Sequence, residues 1–320
     1  MRRLLGLLIV GIVAGACANA GAPSATVSPT SAPPSTPTVA PASSPTVVGG
    51  ERPVTVQLPS AGPEGPSPLL LLLHGYGSTG AEAEAYMRLG PVAAERGVVF
   101  ATPDGTVDSD GNHYWNATDA CCDLDHAGVD DAGYLADVIE EIKGVANIDP
   151  KRIYLVGHSN GGFMTYRMAC EHADVVAGIV SLAGATFVEP DDCEPSEPVS
   201  VLQIHGTADD LVAYEGGELS EAVGADEGTL RYPGARTGAA AWAAYNGCDP
   251  ELADTDETVD VDALIDGPTD GAEAAVARAS GCEPGGHVEL WTIPDGSHVP
   301  SVSGAFAEHV VDYLLDHPKP

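Results

Sequence analysis

At Gly157-His158-Ser159-Asn160-Gly161 the chain passes from strand to helix within five residues. The apolar run Ile153-Tyr154-Leu155-Val156 precedes it, and Gly162-Phe163-Met164-Thr165-Tyr166-Arg167-Met168-Ala169 follows with helix-compatible periodicity. A strand that turns sharply into a helix belongs to a βα unit, so the surrounding fold must supply a sheet for that strand and a face for that helix. The pentapeptide fits G-x-S-x-G, in which the turn lifts a serine hydroxyl above the end of the sheet. Its glycines answer a steric need, because the serine backbone is strained and flanking side chains would collide. A glycine-rich turn with a solvent-facing serine would explain the five residues alone. The flanking strand and helix argue against that reading.

The rest of the chain repeats the alternation. Leu69 to Leu73 is a wholly apolar strand that ends at His74-Gly75, and Val98 to Ala101 is another, stopped by Pro103-Asp104-Gly105. Ile179 to Leu182, Val199 to Ile204 and Val288 to Ile293 are further strands, with Val54 to Leu58 as an edge strand. Helical spacing runs over Ala81 to Arg96, Asp131 to Lys143, Thr237 to Asn246 and Val302 to Leu315, and a long loop joins Gly105 to about Val129. Apolar strands between amphipathic helices predict an α/β fold: a mostly parallel central sheet with helices on both faces. Ligands of such sheets gather at the carboxyl ends of the strands.

Two segments stand outside this pattern. Residues 1–16 carry Arg2 and Arg3, an apolar run from Leu4 to Val13 and then small residues, which is the make-up of an export signal and too short for a membrane span. Ala14-Gly15-Ala16-Cys17 resembles a bacterial lipobox, implying cleavage before Cys17 and lipidation of its thiol, with plain secretion as the alternative. Residues 17–50 are almost all Ala, Pro, Ser, Thr, Val and Gly, without charge or aromatic side chains, and read as a disordered tether. The expected location is therefore outside the cytoplasm, with membrane contact only through the lipid at Cys17. Residues 51–320 are left for one catalytic domain, a length that can bury a large core.

Thirteen Lys and Arg against 47 Asp and Glu give a net charge of −34. Phosphate binding needs clustered cations, so a nucleic-acid partner is excluded. The densest acidic stretch, residues 249–273, has no Lys or Arg and reads as a solvated insertion. Apart from Cys17 there are six cysteines, an even number that suits disulfides in an exported domain. Cys170 ends the helix after the turn and Cys193 precedes the next strand, which brings both to one edge of the sheet. Cys248 and Cys282 bracket the acidic stretch and would staple it. Adjacent Cys121 and Cys122 either bond to each other in a small ring or seek partners elsewhere.

A serine hydroxyl is a weak nucleophile until an imidazole takes its proton and a carboxylate orients that imidazole. Beyond Ser159 the chain supplies both at strand ends. Val201-Leu202-Gln203-Ile204 leads into His205-Gly206-Thr207-Ala208-Asp209-Asp210, which offers Asp209 or Asp210 as the acid. Leu290-Trp291-Thr292-Ile293 leads into Pro294-Asp295-Gly296-Ser297-His298, which offers His298 as the base. His205 and His74 read as structural, and His309 as a surface residue of the last helix. Two backbone N–H groups are needed for the oxyanion of a tetrahedral intermediate. Asn160, next after the serine, supplies one, and Tyr76 in His74-Gly75-Tyr76-Gly77 the other. The chemistry requires no metal or organic cofactor.

His74 to Gly77, Tyr114-Trp115-Asn116 before Cys121-Cys122, Asp130-Asp131, Gly157 to Gly162, His205 to Asp209 and Gly296-Ser297-His298 together resemble secreted α/β-hydrolase esterases of the feruloyl esterase and polyhydroxybutyrate depolymerase family, including actinobacterial lipoproteins. The resemblance spans about Leu69 to Leu315. It implies an α/β-hydrolase fold, a triad of Ser159, Asp209 and His298, and ester substrates with short or aromatic acyl groups or hydroxyalkanoate polyesters. The acidic stretch departs from the family pattern. Trp115, with Tyr114, is the candidate platform for a phenolic acyl group, with loop packing as the competing role. A serine peptidase of the same fold and a non-catalytic surface binding protein are the alternative functions.

Overall fold

The computed structural model describes residues 45–59, 65–219, 230–268 and 271–320. The expected export signal, Cys17 and the expected tether up to residue 44 lie outside them. Strand β3 (Ser67–Leu73) shows how the layers form, because every residue of it is buried. Leu69, Leu71 and Leu73 belong to the core cluster on one face of the sheet, the face that helices α3 (Asp131–Val145), α4 (Asn160–Glu171) and α5 (Ala235–Tyr245) cover. Leu70 and Leu72 pack on the other against α1 (Gly80–Met87), α2 (Leu89–Glu95) and α6 (Phe306–Asp316). A strand covered on both faces has no solvent side to keep polar, which is why it reads as unbroken leucine.

The central sheet of the described residues has ten strands in the order β1-β2-β4-β3-β7-β8-β9-β14-β13-β12. Its middle six are parallel: β4 (Val99–Ala101), β3, β7 (Ile148–His158), β8 (Gly178–Leu182), β9 (Ser200–Gly206) and β14 (Val288–Ile293). Antiparallel pairs close both sides, β1 (Thr46–Val48) with β2 (Val54–Gln57), and β12 (Asp249–Val259) with β13 (Ala274–Ser280). A small hairpin of β5 (Thr106–Val107) and β6 (His113–Tyr114) lies within the long loop, and β10 (Gly216–Glu218) pairs with β11 (Arg231–Pro233).

Four details differ from the sequence reading. Thr46–Val48, assigned to the tether, pairs with Val54–Val56, so β2 is not the edge strand. The helix expected over Ala81 to Arg96 is two helices broken at Arg88, whose φ is 56°. Pro91 explains the break, since its ring would clash with the Met87 carbonyl of a continuous helix and it has no N–H to donate. The closing helix begins at Phe306 rather than Val302, because Ser303 Oγ accepts from the Ala305 and Phe306 N–H groups and ends the preceding turn there. Finally, the acidic stretch is not a solvated insertion apart from the fold. Its first half is β12, the outermost strand of the sheet, and acidic side chains on an exposed edge discourage pairing with another chain.

Three disulfides join Cys121 to Cys122, Cys170 to Cys193 and Cys248 to Cys282. The last ties the end of α5 to the β13–β14 turn, bracketing the β12–β13 hairpin.

Candidate active site

Ser159 stands between the last residue of β7 and the first of α4, with φ 53° and ψ −121°. Such a backbone costs on the order of 1–3 kcal/mol in a residue other than glycine. The flanking glycines permit it. A Cβ on Gly157 would lie 2.2 Å from the Gly161 carbonyl oxygen, and one on Gly161 would lie 2.2 Å from that of Leu73. The Ser159 N–H donates to the Leu182 carbonyl at 2.8 Å, which anchors the turn to β8.

The partners of Ser159 come from the loops after β9 and β14, which are parallel neighbours. Those loops are laced together: Thr207 N–H donates to the Ile293 carbonyl at 3.0 Å, and Ala208 N–H to that of Gly296 at 2.9 Å. Asp295 N–H donates to Thr207 Oγ1 at 2.8 Å. His298 Nδ1 therefore reaches Asp209 Oδ2 at 2.9 Å, and His298 Nε2 reaches Ser159 Oγ at 2.9 Å. With Nδ1–H donating to the carboxylate, Nε2 is left as the acceptor for the serine hydroxyl. Asp210 points to solvent, which leaves Asp209 as the carboxylate of the chain.

Asp209 is held as an anion. Its Oδ1 accepts from the N–H groups of Leu211 and Val212 at 3.0 and 2.8 Å. Its Oδ2 accepts from His298 and, at 3.2 Å, from His205 Nε2. Burial works against ionisation, but the hydrogen bonds from His205, His298 and the Val212 N–H outweigh it and bring its pKa well below the usual carboxylate range. His205 is itself set by Gln203, whose Nε2 donates to His205 Nδ1 at 3.0 Å.

His158 has a part that the motif did not disclose. Its Nε2–H donates to the His298 carbonyl at 3.0 Å, and its ring centroid lies 5.2 Å from that of His298. Desolvation first, and the neighbouring His298 second, bring its pKa down to about 4. A neutral ring thus braces the base without adding charge beside it. His74 accepts from Gly105 N–H through Nε2 at 2.9 Å and holds the loop in which Tyr76 sits. A Cβ on Gly75 would meet Ser159 Cβ at 3.4 Å, so that loop runs directly beside the serine.

Above Ser159 opens a cleft of about 380 Å³ lined by Tyr76, Tyr86, Leu124, Phe163, Leu211 and Val299, and by Cys121 and Cys122. Tyr114 and Trp115 are not part of it. Both are buried, and the indole N–H of Trp115 donates to the His74 carbonyl at 3.0 Å. Tyr114 OH donates to Asp123 at 3.2 Å. The proposed aromatic platform is therefore corrected to a packing role: these rings support the loop behind the cleft wall.

Residues 70–309 match the alpha/beta hydrolase family. Over 188 residues, 58% of this chain and 33% of the relative, the sequence is 32% identical to feruloyl esterase B of Piromyces equi. Over 132 residues, 38% of this chain and 26% of the relative, it is 32% identical to the poly(3-hydroxybutyrate) depolymerase of Ralstonia pickettii. The chain thus spans about a third or less of the length of these two relatives. The fold of an acetyl xylan esterase from Aspergillus awamori superposes with a TM-score of 0.58 at 14% identity, over 85% of this chain and 99% of that one.

Proposed function

Because the chain belongs to the alpha/beta hydrolase family, we propose that it is a serine esterase acting on carboxylic esters through Ser159, His298 and Asp209. The observation that carries this reading is the unbroken hydrogen-bonded series from Ser159 Oγ to His298 to Asp209, each link 2.9 Å, at the floor of an apolar cleft. His298 takes the hydroxyl proton as Ser159 attacks the ester carbonyl. Asp209 holds the imidazole in the required tautomer and offsets the charge of the imidazolium. The oxyanion is received by the Tyr76 and Asn160 N–H groups. Asn160 opens α4, so its N–H has no intrahelical acceptor, and the loop of Tyr76 lies against Ser159. His298 then returns the proton to the leaving alcohol. Water repeats the sequence on the acyl-enzyme and releases the acid.

An apolar cleft with tyrosines at its mouth suits short or aromatic acyl esters, such as feruloyl esters, and hydroxyalkanoate oligomers. The names of the two relatives support the same choice. Disulfides support an oxidising compartment outside the cytoplasm, and Cys17 would anchor the domain there by its lipid. Hydrolysis of p-nitrophenyl acetate, methyl ferulate, a hydroxybutyrate oligomer and a peptide amide tests the reading. Cleavage of esters but not the amide is expected, ranked by acyl group. Preference for the amide would replace esterase with peptidase.

A further inference from the structure

We propose that the Cys121–Cys122 disulfide is the wall of the cleft that selects the acyl group, and that the Asn160 carboxamide positions this wall relative to the nucleophile. The inference rests on the esterase reading and adds a specificity determinant to it.

Cys121 and Cys122 line the cleft together with Ser159, Phe163 and Leu124, while 93% or more of each cysteine is out of solvent. A disulfide there is apolar and polarisable, and it has no N–H or O–H to satisfy, so an aromatic or alkyl acyl group can pack on it without leaving a polar group unpaired. Two bonded neighbours in sequence are also stiffer than two independent side chains. The wall can therefore discriminate by shape.

Its position is fixed from behind. The Cys122 N–H donates to the Trp115 carbonyl at 3.3 Å, and the Ala117 N–H donates to that of Cys121 at 3.0 Å, which winds residues 115–122 into a compact turn. That turn is clamped to α4 first by the Asn160 side chain. Asn160 Oδ1 accepts from the Trp115 N–H at 2.7 Å, and Asn160 Nδ2 donates to the Trp115 carbonyl at 2.9 Å. The same Nδ2 lies 3.5 Å from Cys121 Sγ. Asn160 is fully buried and follows Ser159 directly, so nucleophile and wall are held to one rigid point. Arg167, about two turns further along α4 on the same face, donates to the Asn116 carbonyl at 2.6 Å and secures the turn a second time. The leaving alcohol must lie toward His298, which gives it a proton. The wall, tied to Asn160 instead, faces the other half of the ester.

The test compares wild type, Cys121→Ala/Cys122→Ala and Asn160→Ala on two matched series. One holds p-nitrophenol constant and varies the acyl group from acetyl to cinnamoyl, and the other holds the acyl group constant and varies the alcohol. Circular dichroism and a urea midpoint accompany each protein. The kcat/KM ratio of cinnamoyl to acetyl esters is expected to change by about 10-fold or more in the double variant, mainly through KM, as for the loss of a shaped apolar contact. Asn160→Ala, which keeps the disulfide, should shift the ratio the same way with a lower kcat, and it decides the matter should the double variant not fold. A ratio within about twofold of wild type, or a shift that follows the alcohol series, overturns the proposal. Failure of the esterase reading looks different, because wild type itself would then hydrolyse no member of either series.

Discussion

The histidines around Ser159 divide their labour by what each ring nitrogen touches. His298 faces both the serine and Asp209, His205 donates to the Val212 carbonyl at 2.7 Å and to Asp209, and His158 braces the backbone of His298. The depressed pKa of His158 makes this brace sensitive to pH. Its folded value of about 4 lies below the ordinary 6.5, so the unfolded chain takes up the proton first. Stability from this site is then complete above pH 6.5 and is lost as the pH falls toward 4. His158→Gln removes the titration. Urea unfolding at several pH values between 4 and 7 should show wild type losing stability relative to the variant as the medium is acidified, and parallel curves would contradict the assignment. Sequence alone pointed to Ser159 and His298 as candidates because each sits just past a strand whose apolar run is unmistakable, and the structure brings the two within hydrogen-bonding distance. Sequence could not disclose His158 or the Asn160 carboxamide. Both stand at variable positions of a motif, and their partners are 140 and 45 residues away. Trp115 shows the opposite problem: an aromatic residue on a loop reads equally well as platform or packing until its N–H groups are seen to be engaged from behind the wall.

At the scale of elements, legibility followed hydrophobic pattern. The parallel strands could be read because burial on both faces makes them continuously apolar, and the helices between them because one stripe is apolar. Strands at the margins carry no such signal. β1 is three residues of a segment rich in Pro, Ser and Thr, and β12 alternates poorly because its pairing with β13 shifts register twice. Charge density in β12 suggested solvent, and an exposed edge strand accommodates that charge while still bonding its backbone. The β1 strand has a measurable consequence. Val48 is buried in the core cluster against Val54 and Val56, and the Gly49 N–H donates to Glu141 at 2.8 Å. A protein beginning at Arg52 loses these contacts and should unfold with about 2 kcal/mol less free energy than one beginning at Pro45, as judged by urea midpoints with equal slopes. Equal midpoints would show that β1 adds nothing to the fold.

Over the whole molecule, the sheet delivers three loops to one end: the Tyr76 loop after β3, the Asp209 loop after β9 and the His298 loop after β14 all meet Ser159 after β7. This convergence at the carboxyl ends of parallel strands is where such folds place their chemistry. A net charge of −34 biases the molecule against anionic partners, and the cleft itself is lined mainly by uncharged side chains, so under the proposed esterase function neutral esters would suit both. The central claim is that Ser159 forms an acyl-enzyme. It is tested most directly by mass spectrometry after reaction with a fluorophosphonate, which traps an activated serine without regard to acyl preference. The account predicts one adduct per folded chain, located on the peptide bearing Ser159 and absent from Ser159→Ala. A folded protein that takes no adduct, or takes it at another residue, would contradict it.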